Sequence, residues 1–431
     1  MKKSGLGLFL LGVFALISYA RAETSYDVFI NVASGSNLGP ANPFILGSNT
    51  QWVDQGDGII NADLSLNATN LASIRALAPT VLRYPGGTHS DTYRWQSGMG
   101  AAEARGQIEK FPSGVFATIL FGTKEFLELC KSVAALPIIT VNTVSATPAD
   151  AAAWVEQINV IGIPGDDGAL LPQVKYWEIG NEPYLIADPN RPEMSPPPDQ
   201  YAASANLIIT AMKAVDSTLK VGIPLRSDQI SGTPATPYPG YNDIVLSSVT
   251  APFDYVSVHN AYFPVIFDNS QTYTDDQLFK SIMAASRTFL ADLDATRAQV
   301  GKYFPGGKPI ALTEYNTFFT VNGAHDARIN SFATALYVAD LLAVLLEQPD
   351  IIFANHWSLI GNWHFGTIAE TNGEIRPAGK VMMRFKSLLR GNRLPTTTSG
   401  PSFANTAVGV VPAYNDNPVV KTVATLTGRT L

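Results

Sequence analysis

The chain has 431 residues, a formal net charge of −7, 46% hydrophobic residues and only 15% charged ones. That composition sustains a large core and excludes an intrinsically disordered protein. An acidic balance without any basic run argues against nucleic acid or an anionic membrane surface as partner and favours a neutral one.

The N-terminus reads as an export signal. Lys2 and Lys3 form a positive n-region, Leu6 to Ile17 is apolar or small throughout, and Ala20-Arg21-Ala22 supplies an A-x-A cleavage site. Residues 1–22 are therefore expected to be removed, leaving a mature chain that begins at Glu23 and is secreted or periplasmic. As a membrane anchor the run falls short of the roughly 20 residues of a span, and no stable membrane insertion is expected after cleavage. Residues 23–43 read as an N-terminal β-segment with a strand at Tyr26–Val32.

From residue 44 to 390, short β-rich runs alternate with helical patterns, which is the mark of repeated βα units. Strands are predicted at Phe44–Ser48, Val81–Tyr84, Leu136–Asn142, Val174–Gly180, Lys220–Pro224, Tyr255–His259, Ile310–Glu314 and Ile351–Trp357. Helices are predicted at Lys124–Ala135, Pro148–Ile158, Gln200–Val215, Asp276–Leu293, Phe332–Leu346 and Pro377–Leu389. Thr147 with Pro148 gives the second of these an N-cap and a proline at its first position. Eight units specify an α/β fold of the (β/α)8 TIM-barrel type, and no Gly-x-Gly-x-x-Gly follows the first strand to suggest a doubly wound sheet. Cys130 lies in the apolar pattern of Phe126, Leu127 and Val133 and reads as a core residue. The Pro-rich stretches Ile186–Pro198 and Asp228–Tyr241 are expected to wall a cleft on the barrel's C-terminal face. Residues 391–431 read as a partial β-domain with strands at Ala407–Val411 and Val419–Thr425. Two strands cannot bury two faces alone. Either the natural chain continues past Leu431, or Tyr26–Val32 completes a small sheet.

Two strand ends carry the chemistry. Strand four ends in Gly180-Asn181-Glu182-Pro183 and strand seven in Thr313-Glu314-Tyr315-Asn316. A barrel brings both ends to one rim. Retaining glycoside cleavage needs two carboxyl groups about 5–5.5 Å apart, one as nucleophile and one as acid and then base. Asn181 is placed to bond a sugar 2-hydroxyl, and the expected partner is a carbohydrate substrate. Tyr184, Phe263, Phe318, Trp357 and Trp363 fall at or after strand ends, where rings stack on sugar faces. Histidines 89, 259, 325, 356 and 364 lack metal-ligand spacing, so no metal or other cofactor is expected. His259 reads either as a substrate group or as a structural histidine. No Gly-x-Ser-x-Gly elbow supports a serine hydrolase. The non-enzyme alternative is a carbohydrate-binding protein on an inactive barrel.

These residues resemble the large clan of retaining (β/α)8 glycosidases with catalytic glutamates on strands four and seven. Leu82-Arg83-Tyr84-Pro85-Gly86-Gly87, followed by Tyr93-Arg94-Trp95 and Gly98, is most similar to the family 51 α-L-arabinofuranosidases. The resemblance implies Glu182 as acid/base, Glu314 as nucleophile, Asn181 on the 2-hydroxyl and Arg83 keeping the nucleophile ionised. It implies that His259 and Tyr262 line the −1 subsite, with Tyr262 on the nucleophile. The sequence departs from the family at Thr88 and Ser358, where an Asn and a Gln are usual. Asn49 and Gln51 stand where strand one usually carries an acidic residue. The clan also holds endo-glucanases, xylosidases and glucuronidases.

Overall fold

A computed structural model describes residues 29–110, 114–185, 194–226, 238–259, 261–266, 275–321, 324–325, 327–361, 364–399, 405–408 and 411–414. Eight parallel strands form its centre: β1 (Gly47–Asn49), β2 (Val81–Tyr84), β3 (Leu136–Val141), β4 (Tyr176–Ile179), β5 (Lys220–Leu225), β6 (Tyr255–Val258), β7 (Ile310–Val321) and β8 (Ile351–His356). Each pairs with the next, and β8 pairs with β1, so the sheet closes on itself as a (β/α)8 barrel. Closure leaves no edge, and helices cover the outside, so β2 and β6 are buried along their whole length.

The helices follow in step: α1 (Ala68–Leu77), α2 (Thr123–Val133), α3 (Pro148–Val155), α4 (Pro198–Val215), α5 (Tyr241–Ser248), α6 (Asp275–Tyr303), α7 (Phe332–Leu346) and α8 (Pro377–Leu388). Local chemistry sets their ends. The Thr147 hydroxyl accepts the Asp150 N–H while the Asp150 carboxylate accepts the Thr147 N–H, a capping box at the start of α3. Ser331 caps α7, whose Tyr337, Val338, Leu341, Leu342 and Leu345 are buried. Cys130 is buried in α2.

Inside the barrel the side chains alternate in layers. Val81, Ile138, Tyr255, Ala311 and Phe353 form an apolar floor, packed with Tyr176. Rings reach across the lumen, with Tyr255 and Tyr176 each 5.5–5.6 Å from Phe353. Two residues further along the same strands come Arg83, Thr140, Glu178, Ser257, Thr313 and Asn355, all buried and all polar. The period of two therefore converts a dry floor into a polar layer directly below the C-terminal rim.

Several boundaries differ from the sequence reading for definable reasons. The first strand begins at Gly47 rather than Phe44, because the Asn42 side chain accepts the Phe44 N–H and starts a 3-10 turn at Pro43–Ile45. β7 runs on to Val321, since its extension pairs with Ala261–Ile266, a second segment following β6. α3 passes into a π-type turn at Glu156–Ile161 that ends at Gly162. Phe29–Val32 pairs antiparallel with Thr396–Ser399, a segment not assigned from sequence. Asn405–Val408 and Val411–Tyr414 pair antiparallel, so the strand expected at Ala407–Val411 falls across the ends of two strands. Residues 1–22, expected to be an export signal, and residues 26–28, 186–193, 228–237 and Val419–Thr425 lie outside the described residues.

Candidate active site

Arg83 is the hub of the barrel mouth. It has no exposed surface, and its guanidinium donates to four partners from three other strands. Nε reaches Glu178 Oε2 at 2.6 Å, and Nη1 reaches Glu314 Oε1 at 2.9 Å and Asn49 Oδ1 at 3.0 Å. Nη2 reaches Asn181 Oδ1 at 2.8 Å. Burial opposes its charge, but Glu178 and Glu314 outweigh that effect and raise its pKa above the ordinary value. The planar fork is what permits so many fixed contacts.

Glu178 was not singled out by the sequence reading. It is fully buried on β4, accepts from Arg83 and from the hydroxyls of Thr140 (2.9 Å) and Thr313 (3.1 Å). Burial alone would raise its pKa; Arg83 and then His259 more than offset this and hold it below the usual carboxylate range. Its only sequence signal was an acidic residue at an inward position of a buried strand.

The two strand-end glutamates are aimed by backbone irregularities. β7 shifts register against β8 between Leu312 and Tyr315, and a bulge of this kind re-aims a side chain. Glu314, 5% exposed, thus turns to Arg83 although Thr313 beside it also points inward. On β4, Gly180 (φ 87°) and Glu182 (φ 44°) both take left-handed conformations. A Cβ on Gly180 would lie 2.6 Å from Thr143 Oγ1, so glycine is needed there for space as well.

His259 joins the two carboxylates. Its Nδ1 is 2.8 Å from Glu182 Oε1 and its Nε2 is 3.7 Å from Glu314 Oε1. Burial lowers its pKa, but Glu314 and then Glu182 prevail and raise it. A single imidazole therefore spans the gap between the glutamates. Their side chains differ in access, 23% exposed for Glu182 and 6% for Glu314. The Tyr184 hydroxyl also donates to Glu182, at 3.4 Å.

The remaining expected residues meet different fates. Asn181 spends its oxygen on Arg83, while its buried Nδ2 has no protein partner, leaving a donor for a ligand. Asn49 has no exposed surface and spends both ends internally, on Arg83 and on the Thr313 carbonyl at 2.9 Å. Trp357 stands at the end of β8 against Gly87, where a Cβ would lie 2.4 Å from its Cη2. Gly86 is equally constrained, since a Cβ there would meet the Thr50 carbonyl oxygen at 2.0 Å. The Gly86-Gly87 pair therefore brings the β2 loop close to both β1 and the Trp357 ring. Tyr262 lies in register with Asn316, two residues beyond Glu314. Its side chain, like those of Phe263, Phe318 and Trp363, lies outside the described residues. His356 is buried against Tyr315 and burial pushes it down to about 4, so it is neutral. Among the described residues, no three His, Cys, Asp or Glu side chains are grouped to hold a metal ion.

Fold and site together define a closed (β/α)8 barrel with two glutamates, one buried arginine and one histidine converging at its C-terminal rim. Comparisons with known proteins show what the chain is similar to. Residues 73–159 match the model described as the alpha-L-arabinofuranosidase 1 domain. Alpha-L-arabinofuranosidase C of Emericella nidulans is 30% identical over 158 residues, covering 35% of this chain and 31% of that protein. An intracellular exo-alpha-L-arabinofuranosidase of Bacteroides ovatus is 31% identical over 152 residues, covering 33% of this chain and 29% of that protein. The matched stretches thus span under a third of these relatives. The likeness of fold reaches further. The alpha-L-arabinofuranosidase of Thermotoga maritima superposes with a TM-score of 0.73 over 91% of this chain and 80% of its own, at 21% identity. The chain is a (β/α)8 barrel similar to the family 51 α-L-arabinofuranosidases.

Proposed function

We propose that the chain is a retaining glycoside hydrolase, acting on α-L-arabinofuranosides by double displacement. The observation that carries this reading is the convergence of Glu182 and Glu314 on one imidazole, with Arg83 bonded to Glu314 alone of the two.

The asymmetry between the glutamates supports different roles for them. Glu314 is enclosed and bonded to a permanent cation, which favours the ionised form that attacks an anomeric carbon. Glu182 is more accessible and faces the rim, where the leaving group departs and water enters. In the first step Glu314 attacks the anomeric carbon as that carbon's bond to the glycosidic oxygen breaks, and Glu182 gives its proton to the oxygen, which leaves as an alcohol. In the second step Glu182 takes a proton from water, which attacks the same carbon and releases Glu314 as carboxylate. Asn181 Nδ2 donates to the 2-hydroxyl, and Trp357 supplies an apolar wall for the sugar ring. No cofactor takes part. The Lys2-Lys3 and Leu6–Ile17 pattern supports export of this enzyme.

One observation favours a second reading, a related retaining enzyme for another sugar such as a xyloside, glucoside or glucuronide. Asn49 stands where the resembling enzymes carry an acid, and both of its polar ends are occupied. A panel of aryl glycosides decides between them: α-L-arabinofuranoside turned over fastest supports the first, β-xyloside, β-glucoside or β-glucuronide the second. Binding of sugars without turnover of any would leave only a carbohydrate-binding barrel.

A further inference from the structure

Tyr184 follows Glu182 by two residues, and its place after a strand end predicts a ring stacked on a sugar face. The structure turns it elsewhere. Only 4% of Tyr184 is exposed, and its ring meets Tyr241 edge-on with centroids 5.6 Å apart. The turn Glu182–Leu185 sets this course. Pro183 takes its second position, as β-turns favour, and the Leu185 N–H donates to the Glu182 carbonyl at 2.9 Å. The chain folds back, and the Tyr184 hydroxyl reaches Glu182 Oε1 at 3.4 Å.

We propose that Tyr184 is a positioning residue for Glu182, holding its carboxyl by Oε1 so that Oε2 carries the proton to the glycosidic oxygen. This rests on the reading of Glu182 as acid/base. Oε1 meets the Tyr184 hydroxyl and, at 2.8 Å, His259 Nδ1. Oε2 has no hydrogen-bond partner among the described residues, while the side chain keeps 23% of its surface open. One oxygen is anchored and the other is left for substrate.

Both groups on Oε1 are donors. Burial, and then the charge of Glu182, push the Tyr184 hydroxyl well above its usual range, so it keeps its proton. Burial opposes a charge on His259, but Glu314 and then Glu182 prevail and raise its pKa. An oxygen that accepts twice is the carbonyl oxygen of a protonated carboxyl group, not its hydroxyl.

The anchor is itself braced. Tyr201, on α4, donates its hydroxyl to the Ile179 carbonyl at 2.7 Å, immediately before Gly180. Tyr241, at the start of α5, packs against both rings, 6.3 Å from Tyr201 and 5.6 Å from Tyr184. The left-handed residues Gly180 and Glu182 are therefore held at the Ile179 carbonyl on one side and at the Glu182 carboxyl on the other. A residue with a Cβ keeps such a conformation only where its surroundings over-determine it.

The test uses the full chain and two readouts. Tyr184→Phe removes the hydroxyl and keeps the ring against Tyr241. Its kcat/KM, which reports the first step alone, should fall about 3- to 10-fold on a glycoside with a poor leaving group, a part of the usual contribution of a general acid. On an activated phenol, which leaves without protonation, it should change by less than about twofold. A double-mutant cycle followed by urea denaturation reads the contact itself, whether or not glycosides are cleaved. Tyr184→Phe and Glu182→Ala should be non-additive by at least about threefold in the unfolding equilibrium constant. Should Glu182→Ala fail to fold, Glu182→Met, which has no acceptor oxygen, completes the cycle. A Tyr184→Phe enzyme at the wild-type rate on the poor leaving group, equal losses on both substrates, or an additive cycle would overturn the proposal. A wild-type chain that cleaves no glycoside would instead sink the reading of Glu182, while the cycle still decides the contact.

Discussion

Arg83 Nη1 lies 2.9 Å from Glu314 Oε1, and the same guanidinium grips Glu178 through Nε at 2.6 Å. One cation thus serves two carboxylates, one fully enclosed and one at the edge of the cavity. Arg83→Lys removes the fork that makes both contacts. Turnover should fall about 10²- to 10³-fold, the scale of losing one preorganised electrostatic contact. Arg83→Met should in addition cost about 3–5 kcal/mol of stability, because it strands buried carboxylates. Steady-state kinetics and urea denaturation check the two parts separately.

Glu178 has a lowered pKa, set against burial by Arg83 and His259. A depressed carboxylate contributes stability that is present above its unfolded pKa and is lost as pH falls through the folded value. The wild type should therefore lose stability as pH drops below about 4.3, the unfolded glutamate value. Glu178→Gln should be less stable at neutral pH and show a shallower decline in acid. Denaturation midpoints between neutral pH and pH 3 test this, and parallel curves for the two proteins would refute it.

His259 has the opposite sign. Its pKa is raised by Glu314 and Glu182, so its contribution is complete below about 6.5, the unfolded histidine value, and fades as pH rises through the folded value. His259→Gln should abolish that alkaline loss. It should also lower kcat, since the imidazole Nδ1 bonds Glu182. The measurement is paired stability and kcat profiles across pH 6 to 9.

Gly87→Ala probes the contact with Trp357. At φ 57° the new Cβ is strained, and it would lie 2.4 Å from Trp357 Cη2. The ring must shift, and a displacement near 1 Å at a positioning residue costs up to about 10²-fold in rate. The barrel should survive with a Tm lower by a few degrees, from a left-handed penalty of about 1–2 kcal/mol. Unchanged kinetics would show that Trp357 does not border the substrate.

The parts legible in the sequence were those that repeat. Eight strands and their helices showed because each unit carries its own apolar period, and the glutamates showed because strand, small residue, amide and carboxyl follow one another at Gly180-Asn181-Glu182. Glu178 stayed hidden for a physical reason. Its meaning lies in partners on other strands, Arg83, Thr140 and Thr313, and no local pattern records them. Asn49 stands where strand one usually carries an acidic residue, and its bonds to Arg83 and the Thr313 carbonyl lie on other strands that no local pattern records. Thr396–Ser399 escaped notice because a run of threonines exposed on both faces has no apolar alternation to read.

The most direct test is to trap the intermediate. In Glu182→Ala, an activated aryl arabinofuranoside can still be attacked, but no base remains to draw water onto the glycosylated enzyme, which should accumulate. The reaction is quenched in acid after a few turnovers, digested and mapped by mass spectrometry. The expected result is one glycosyl unit on the peptide that contains Glu314, absent from Glu182→Ala/Glu314→Gln. Steady release of phenol with no adduct, or an adduct on another residue, would contradict double displacement at Glu314.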